Sequence, residues 1–313
     1  EATVKLILKM RGCSSDHTTS LFLPFFLFLL IFLLLIFSIL IFLLFVLGLS
    51  GNAASMDKPS SDKSSDRKPE SLAQFYQLYQ SVLNDAVFSG EKNGVQLNLV
   101  DYASLRNDER LAWLMVFLEE FDHALLTNHK DRTAYFLNAY NIMAINKVCE
   151  NWPLKSLRSL GNAFRPVWVH QCGRLNHEQM TLRVLEHDIL RQQSEPRIHF
   201  ALNCASVSCP DLRKEPYVGE RLEAQLREQT LGFFRQQGKG LKSEGRKLWL
   251  SPLLDWFADD FADVGGVDVF LKEYLPLAPE GKEWEIQGFL RYDWEVNCHL
   301  SGREKRSLRL RSR

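Results

Sequence analysis

The apolar residues of this chain follow two different patterns. Between Leu21 and Leu49 they are nearly continuous: 26 of 29 positions are hydrophobic, eight of them phenylalanine, and none is charged. From Ser71 onward they recur at spacings of two, three or four, with polar residues between. As a helix the continuous run would extend about 43 Å, beyond the roughly 30 Å of a bilayer's hydrocarbon core. A helix apolar on every face has no side to turn to water, so a membrane segment is predicted there rather than a core helix. Two membrane readings stand side by side. The length favours an uncleaved transmembrane anchor, because the apolar part of a signal peptide is usually about 7–15 residues. The small residues of Gly51-Asn52-Ala53-Ala54-Ser55 favour a cleaved signal peptide instead.

Beyond this run the periodicity predicts elements in order. Leu72, Phe75, Tyr76, Tyr79, Val82 and Leu83 mark a first helix. A second is expected over about 102–126, with Leu111, Leu114, Met115, Leu118 and Leu125 inward, and a third over about 132–149, ended by Trp152-Pro153. Val167–His170 and Arg174-Leu175, around Gly173, read as a short hairpin, and a helix follows over about 182–191. Residues 197–203 alternate, with Ile198, Phe200 and Leu202 on one face and His199, Ala201 and Asn203 on the other, which predicts a strand. A charged helix over about 220–235, a hairpin around Gly245, a helix start at Ser251-Pro252 and a last helix over about 267–274 complete the pattern. Helices and short strands mix without regular βαβ alternation, so the expected class is α+β, a helix-dominated single domain with a small sheet. The chain is thereby divided into a polar head (1–20), a signal peptide or transmembrane anchor (21–49), a flexible tether (50–70), one α+β domain (71–300) and a basic tail (301–313).

Charge changes this picture in two places. Lys plus Arg and Asp plus Glu each number 38, so no global positive field draws in phosphates, and no nucleic-acid partner is expected. Basic residues flank the apolar run on both sides (Lys5, Lys9 and Arg11 before, Lys58, Lys63, Arg67 and Lys68 after), so they do not orient it. Export rests on the layout of polar head, apolar run and small residues. The expected location is the cell envelope, membrane-anchored or periplasmic or extracellular, with the membrane as a partner through residues 21–49 if they are uncleaved. A further small-molecule, peptide or protein partner is left open.

Candidate chemistry concentrates in Arg197–Arg213, which holds two thiols, an amide, hydroxyls and charged ends where a strand is expected to open into a loop. The run His199-Phe-Ala-Leu-Asn203-Cys204-Ala-Ser206-Val-Ser-Cys209-Pro210 resembles the signature of the domain-of-unknown-function 547 family. Ala134–Asn141, Leu185–Arg191 and Tyr292–Asn297 are similar to that family's A-F-W-x-N-x-Y-N, E-H-x-I-L-R and Y-D-W-x-x-N stretches, in the same order, over roughly residues 100–298. Phe136-Leu137 departs from the usual Trp and apolar pair. The resemblance implies an architecture and candidate positions; it implies no reaction, since the family's activity is not settled.

On chemical grounds Cys204 is the candidate nucleophile, with His187 or His199 as its base and Glu186 beside His187. Along an extended strand His199 and Cys204 would be about 16 Å apart, so this pair meets only if the loop doubles back. Asn203 is a candidate positioner. Asn138, Asn141, Ser206, Arg213 and Asp293 are candidate substrate contacts, although the two helix amides suit bonding to neighbouring backbone equally well. The reaction expected is acyl or peptide-bond hydrolysis or transfer by a cysteine nucleophile, with no cofactor. Against it stand a disulfide between Cys204 and Cys209, two buried reduced thiols, and a metal site drawn from His187, His199, Cys204 and Cys209, whose spacing matches no standard zinc pattern. In those cases the domain is a non-catalytic binding or scaffolding module. Five cysteines follow the apolar run, so at least one thiol lacks an intrachain partner.

Overall fold

The computed structural model describes residues 68–300 and Arg306. The head, the apolar run at 21–49, the tether before Lys68 and nearly all of the basic tail lie outside the described residues. Ser71 accepts a hydrogen bond from Gln74 N (3.3 Å) and starts α1, Leu72–Ala86, whose buried stripe is Phe75, Leu78, Tyr79, Val82 and Leu83. A hairpin follows that the periodicity did not reveal: β1 (Val87–Lys92) pairs antiparallel with β2 (Val95–Val100). Asn93 and Gly94 turn it with φ of 55° and 78°, the two-residue pair best suited to such a turn. The outward Ser89, Glu91 and Lys92 dilute its apolar signal.

The second expected helix is broken three ways, into α2 (Tyr102–Leu105), α3 (Glu109–Glu120) and a 3₁₀ turn at His123–Leu125. Each piece restarts at an aspartate, Asp101, Asp108 or Asp122, whose carboxylate accepts a backbone N–H of the new turn. Aspartate competes for backbone donors and so interrupts a helix as readily as it caps one. Leu125, expected inside, is therefore 70% exposed. The long helix α4 (His129–Glu150) is the axis of the domain, and every residue from Thr133 to Ile145 is buried.

Two further corrections bear on the site. Val167–Val169 forms a 3₁₀ turn, and the hairpin lies later, β3 (Gln171–Leu175) with β4 (Glu178–Thr181), turned by Asn176 and His177 at positive φ. The expected strand 197–203 is a 3₁₀ helix over Pro196–Phe200. Glu195 accepts from Arg197 N and Pro196 occupies the first helical position, a start signal that the alternation of the next residues masked. Between them Val184–Leu190 winds as a π-type helix.

The C-terminal part comprises α5 (Leu222–Arg235), β5 (Leu241–Glu244), β6 (Lys247–Leu250), the short α6 (Leu253–Trp256), α7 (Val267–Tyr274) and β7 (Glu285–Phe289). β5 and β6 form the expected hairpin at Gly245, and β7 adds to β6 in parallel. Among the described residues there are thus three small sheets rather than one. The helix-dominated α+β class holds; among the described residues no helix is long and apolar enough to cross a membrane.

Two apolar clusters meet at the 3₁₀ segment. Ile198, Ala201 and Leu202 join the larger one around α1, α3 and α4, while Phe200 joins the smaller, packed with Phe233, Phe234 and Phe270. Burying several apolar side chains in opposite directions, at roughly 1.5–3 kcal/mol each, fixes this segment firmly. His199 lies in its midst.

Candidate functional site

A cavity of about 160 Å³ opens where the 3₁₀ segment, the π-type helix and the Cys204–Cys209 loop converge. Glu186, His187, His199, Cys204 and Cys209 all line it, together with Tyr140 of α4 and an aromatic wall of Trp168, Trp256, Phe257, Tyr292 and Trp294. The sequence-based objection to His199 and Cys204 sharing a site rested on an extended backbone. Because residues 196–200 are helical, both reach the same cavity.

His199 is 3% exposed and stacks on Phe257 with ring centroids 3.9 Å apart. Its Nε2 lies 2.6 Å from Asp260 Oδ2, and Arg191 grips the same carboxylate with Nε and Nη2, each at 2.6 Å. Burial of Asp260 opposes its ionisation, but the bonds from His199 and Arg191 outweigh that and hold the carboxyl well below the usual range. An ionised carboxylate only accepts, so the imidazole donates from Nε2 and its lone pair is on Nδ1. That nitrogen is buried and has no hydrogen-bond partner. Burial lowers the His199 pKa against the pull of Asp260, which keeps the ring neutral. His187 is placed differently. Its Nδ1 accepts from Arg191 Nη1 at 2.7 Å, and burial and the positive charges of Arg191 and Arg183 lower its pKa.

Glu186 is partly buried, and burial pushes its pKa up to about 7, against a weakening contact with the Tyr140 hydroxyl at 3.4 Å. A carboxyl poised there can exchange a proton near neutrality.

The two sulfurs are joined: Cys204 and Cys209 form a disulfide with Cα atoms 6.1 Å apart. Of the alternatives open for these residues, this is the one present, and in it Cys204 carries no thiolate. Cys204 is the more accessible member; Cys209 is 2% exposed. Cys149 and Cys172 are buried thiols with pKa values pushed up to about 12 by burial, unsuited to nucleophilic work. Among the described residues no group of three or more His, Cys, Asp or Glu is placed to hold a metal ion.

The amides take the backbone role. Asn138 clamps Tyr217 through both its N–H (2.9 Å) and its C=O (2.8 Å). Asn141 accepts from Asn203 N (2.8 Å) and donates to Ala201 O (3.0 Å). Asn203 donates to Pro210 O (2.7 Å) and accepts from Ala205 N (3.0 Å), bracing the loop that carries both cysteines. All three are buried, and each uses its side-chain oxygen and nitrogen to hold backbone groups. Ser206 is buried, its Oγ 3.4 Å from Cys204 Sγ. Arg213 stands apart from the cavity, bound to Glu215 and Glu228. Asp293 lines a neighbouring, more polar cleft and accepts from Asn93 Nδ2 at 2.7 Å.

Sequence reasoning missed Asp260, Arg191, Tyr140, Tyr292 and the tryptophans. Tyr140, Arg191, Tyr292 and Trp294 lie inside the family-like motifs; Asp260, 61 residues from His199 and one of three acids in Asp259–Asp263, had no local signal.

The family model described as "Protein of unknown function, DUF547" matches residues 124–234. That span holds the Ala134–Asn141, Leu185–Arg191 and His199–Pro210 motifs but not Tyr292–Asn297, and it is narrower than the 100–298 over which the motifs resemble the family. No curated protein and no solved structure matches the chain.

Proposed function

We propose, from the premise that residues 124–234 carry the DUF547 family's features, that the cavity is a thiol-dependent acyl hydrolase or transferase site held closed by its disulfide. The observation that carries this reading is the His199–Asp260 pair: a neutral imidazole, oriented through Nε2 and left with a buried, unpartnered Nδ1, lining the same cavity as Cys204. A base held by a third group and sharing one cavity with a candidate nucleophile has the parts that nucleophilic catalysis uses.

The closed form is opened by an external thiol reductant, which supplies two electrons and two protons and leaves Cys204 and Cys209 as thiols. His199 Nδ1 then takes the Cys204 proton. The thiolate forms a C–S bond to an acyl carbon, and the leaving group departs with the proton from His199. Water or an acceptor nucleophile, deprotonated by the same imidazole, breaks the C–S bond and restores the thiol. Exchange with an external disulfide, which takes up two electrons and two protons and leaves as two thiols, re-forms the bond between Cys204 and the buried Cys209. The proposal includes an exported location, supported by the apolar run at 21–49, where such a disulfide persists.

The disulfide itself favours a second reading, a non-catalytic binding module in which Cys204–Cys209 staples the loop under the aromatic wall. One experiment separates the two. Reduced protein is alkylated with iodoacetamide across pH 5–10, and the Cys204 adduct is followed by mass spectrometry. The enzyme reading expects a midpoint below the roughly 8.5 of an ordinary thiol, raised when His199 is replaced by Gln. A midpoint at or above 8.5 in the unaltered protein overturns it and leaves the binding module.

A further inference from the structure

The hydroxyl of Tyr292 lies 3.4 Å from Cys204 Sγ and 3.2 Å from Cys209 Sγ. It reaches the sulfurs from a chain segment 88 residues beyond Cys204, outside the matched family span. The ring is gripped by Trp294, at 4.3 Å between centroids, and by Trp256, at 5.0 Å. Those two indoles stack on each other at 14°, and the Arg158 guanidinium lies over the Trp294 ring, 4.6 Å from its centroid. The adjoining backbone is held too, since Asp293 N donates to Ser208 Oγ at 2.9 Å and Ser208 N donates to Asp293 O at 3.2 Å. The phenol is therefore aimed by two aromatic contacts and by a backbone link into the cysteine loop itself.

A phenol has one proton to donate, and a disulfide sulfur is a weak acceptor for it. A thiolate is a far stronger one, because hydrogen bonds to ionised groups are roughly twice as strong as neutral pairs. Burial, and then the Glu186 carboxyl, raise the Tyr292 pKa well above its ordinary value, so the proton stays on the oxygen. Apart from the disulfide to Cys209, the other side-chain group at hydrogen-bond distance from Cys204 Sγ among the described residues is Ser206 Oγ.

We propose that Tyr292 is a catalytic hydrogen-bond donor: once Cys204 and Cys209 are reduced, its hydroxyl donates to Cys204 Sγ and stabilises the thiolate. The proposal rests on the thiol-dependent reading of the cavity. It assigns His199 the removal of the proton and Tyr292 the stabilisation of the charge left behind.

The test is the iodoacetamide titration of reduced protein, repeated with Tyr292→Phe and with 3-fluorotyrosine placed at position 292. Phenylalanine keeps the ring and its indole contacts, and its expected effect is an upward shift of the Cys204 midpoint by about one pH unit, the loss of one charge-assisted bond. Fluorotyrosine keeps the hydroxyl and makes it a stronger donor, and its expected effect is a downward shift. The opposed shifts distinguish donation from packing. A midpoint below 8.5 in the unaltered protein that neither replacement moves overturns the Tyr292 assignment while leaving the enzyme reading intact. An unaltered midpoint at or above 8.5 that the replacements still move overturns the enzyme reading and with it the catalytic role of Tyr292, leaving a hydrogen bond to Cys204 without catalysis.

Discussion

His199 Nε2 lies 2.6 Å from Asp260 Oδ2, and Arg191 holds the same carboxylate in a two-pronged grip. The aspartate thus decides which imidazole nitrogen carries the proton. Asp260→Asn places an amide there whose N–H, when it faces Nε2, requires Nε2 to accept and moves the ring proton to Nδ1. Nitrogen NMR of His199 is expected to report the change from the Nε2–H to the Nδ1–H form. Urea unfolding is expected to show a loss of about 2 kcal/mol from the weakened charged contacts. Retention of the Nε2–H form would remove Asp260 from its orienting role.

Glu186 predicts a particular pH dependence. Its folded pKa, pushed up to about 7, exceeds the ordinary 4.5. Below 4.5 both folded and unfolded chains hold the proton, and the group is neutral in its effect. As pH rises toward 7 the unfolded chain releases a proton that the folded chain keeps, so stability falls, and above 7 the loss is complete. Glu186→Gln removes this slope. Denaturation at pH 5 and pH 8 is expected to show near-equal stability at the lower pH and a gain of about 2 kcal/mol for the variant at the higher, allowing for the group's partial exposure.

Asn138 separates a structural amide from a substrate contact. Asn138→Ala leaves the buried N–H and C=O of Tyr217 without partners, at about 1–3 kcal/mol for each group. A drop in stability of about 3 kcal/mol is expected in urea unfolding. An unchanged midpoint would return this residue to the list of candidate substrate contacts.

The cysteine loop is also held from below. Lys239, fully buried, donates to Cys209 O at 2.9 Å and to Asp211 Oδ1 at 2.6 Å. Burial lowers its pKa against the attraction of Asp211. Asp211→Ala strands the ammonium and is expected to cost about 3–5 kcal/mol, whereas Lys239→Met, which removes the buried charge, costs less. Thermal unfolding of the two variants checks the order. Loosening of Cys209 is expected to quicken reduction of the disulfide by dithiothreitol in both.

Helices whose apolar stripes repeat without interruption were legible before the fold was known. Leu72–Ala86, Val267–Tyr274 and the core of His129–Glu150 stand where the spacing puts them. Breaks were not, because Asp101, Asp108 and Asp122 act through hydrogen bonds that hydrophobic spacing does not register. The 197–203 segment shows a deeper ambiguity. A strand would put Ile198, Phe200 and Leu202 on one face, but the 3₁₀ turn sends Ile198 and Leu202 into one core and Phe200 into the other, so the same run of apolar residues suits both, and Glu195-Pro196 was the sole local clue.

The sequence alone determined the continuous apolar run at 21–49, the α+β class and the motifs that resemble those of the DUF547 family, because these depend on composition and short-range order. It also singled out Glu186, His187, His199, Cys204 and Cys209, which the fold gathers around one cavity. Only the tertiary structure decided what each of them touches. Asp260 and Tyr292 reach the site across 61 and 88 residues of chain, and the Asn138 amide is taken up by Tyr217 79 residues away. Such contacts are made by packing rather than by local propensity, so orientation, proton position and the pairing of Cys204 with Cys209 emerge only when the chain closes on itself.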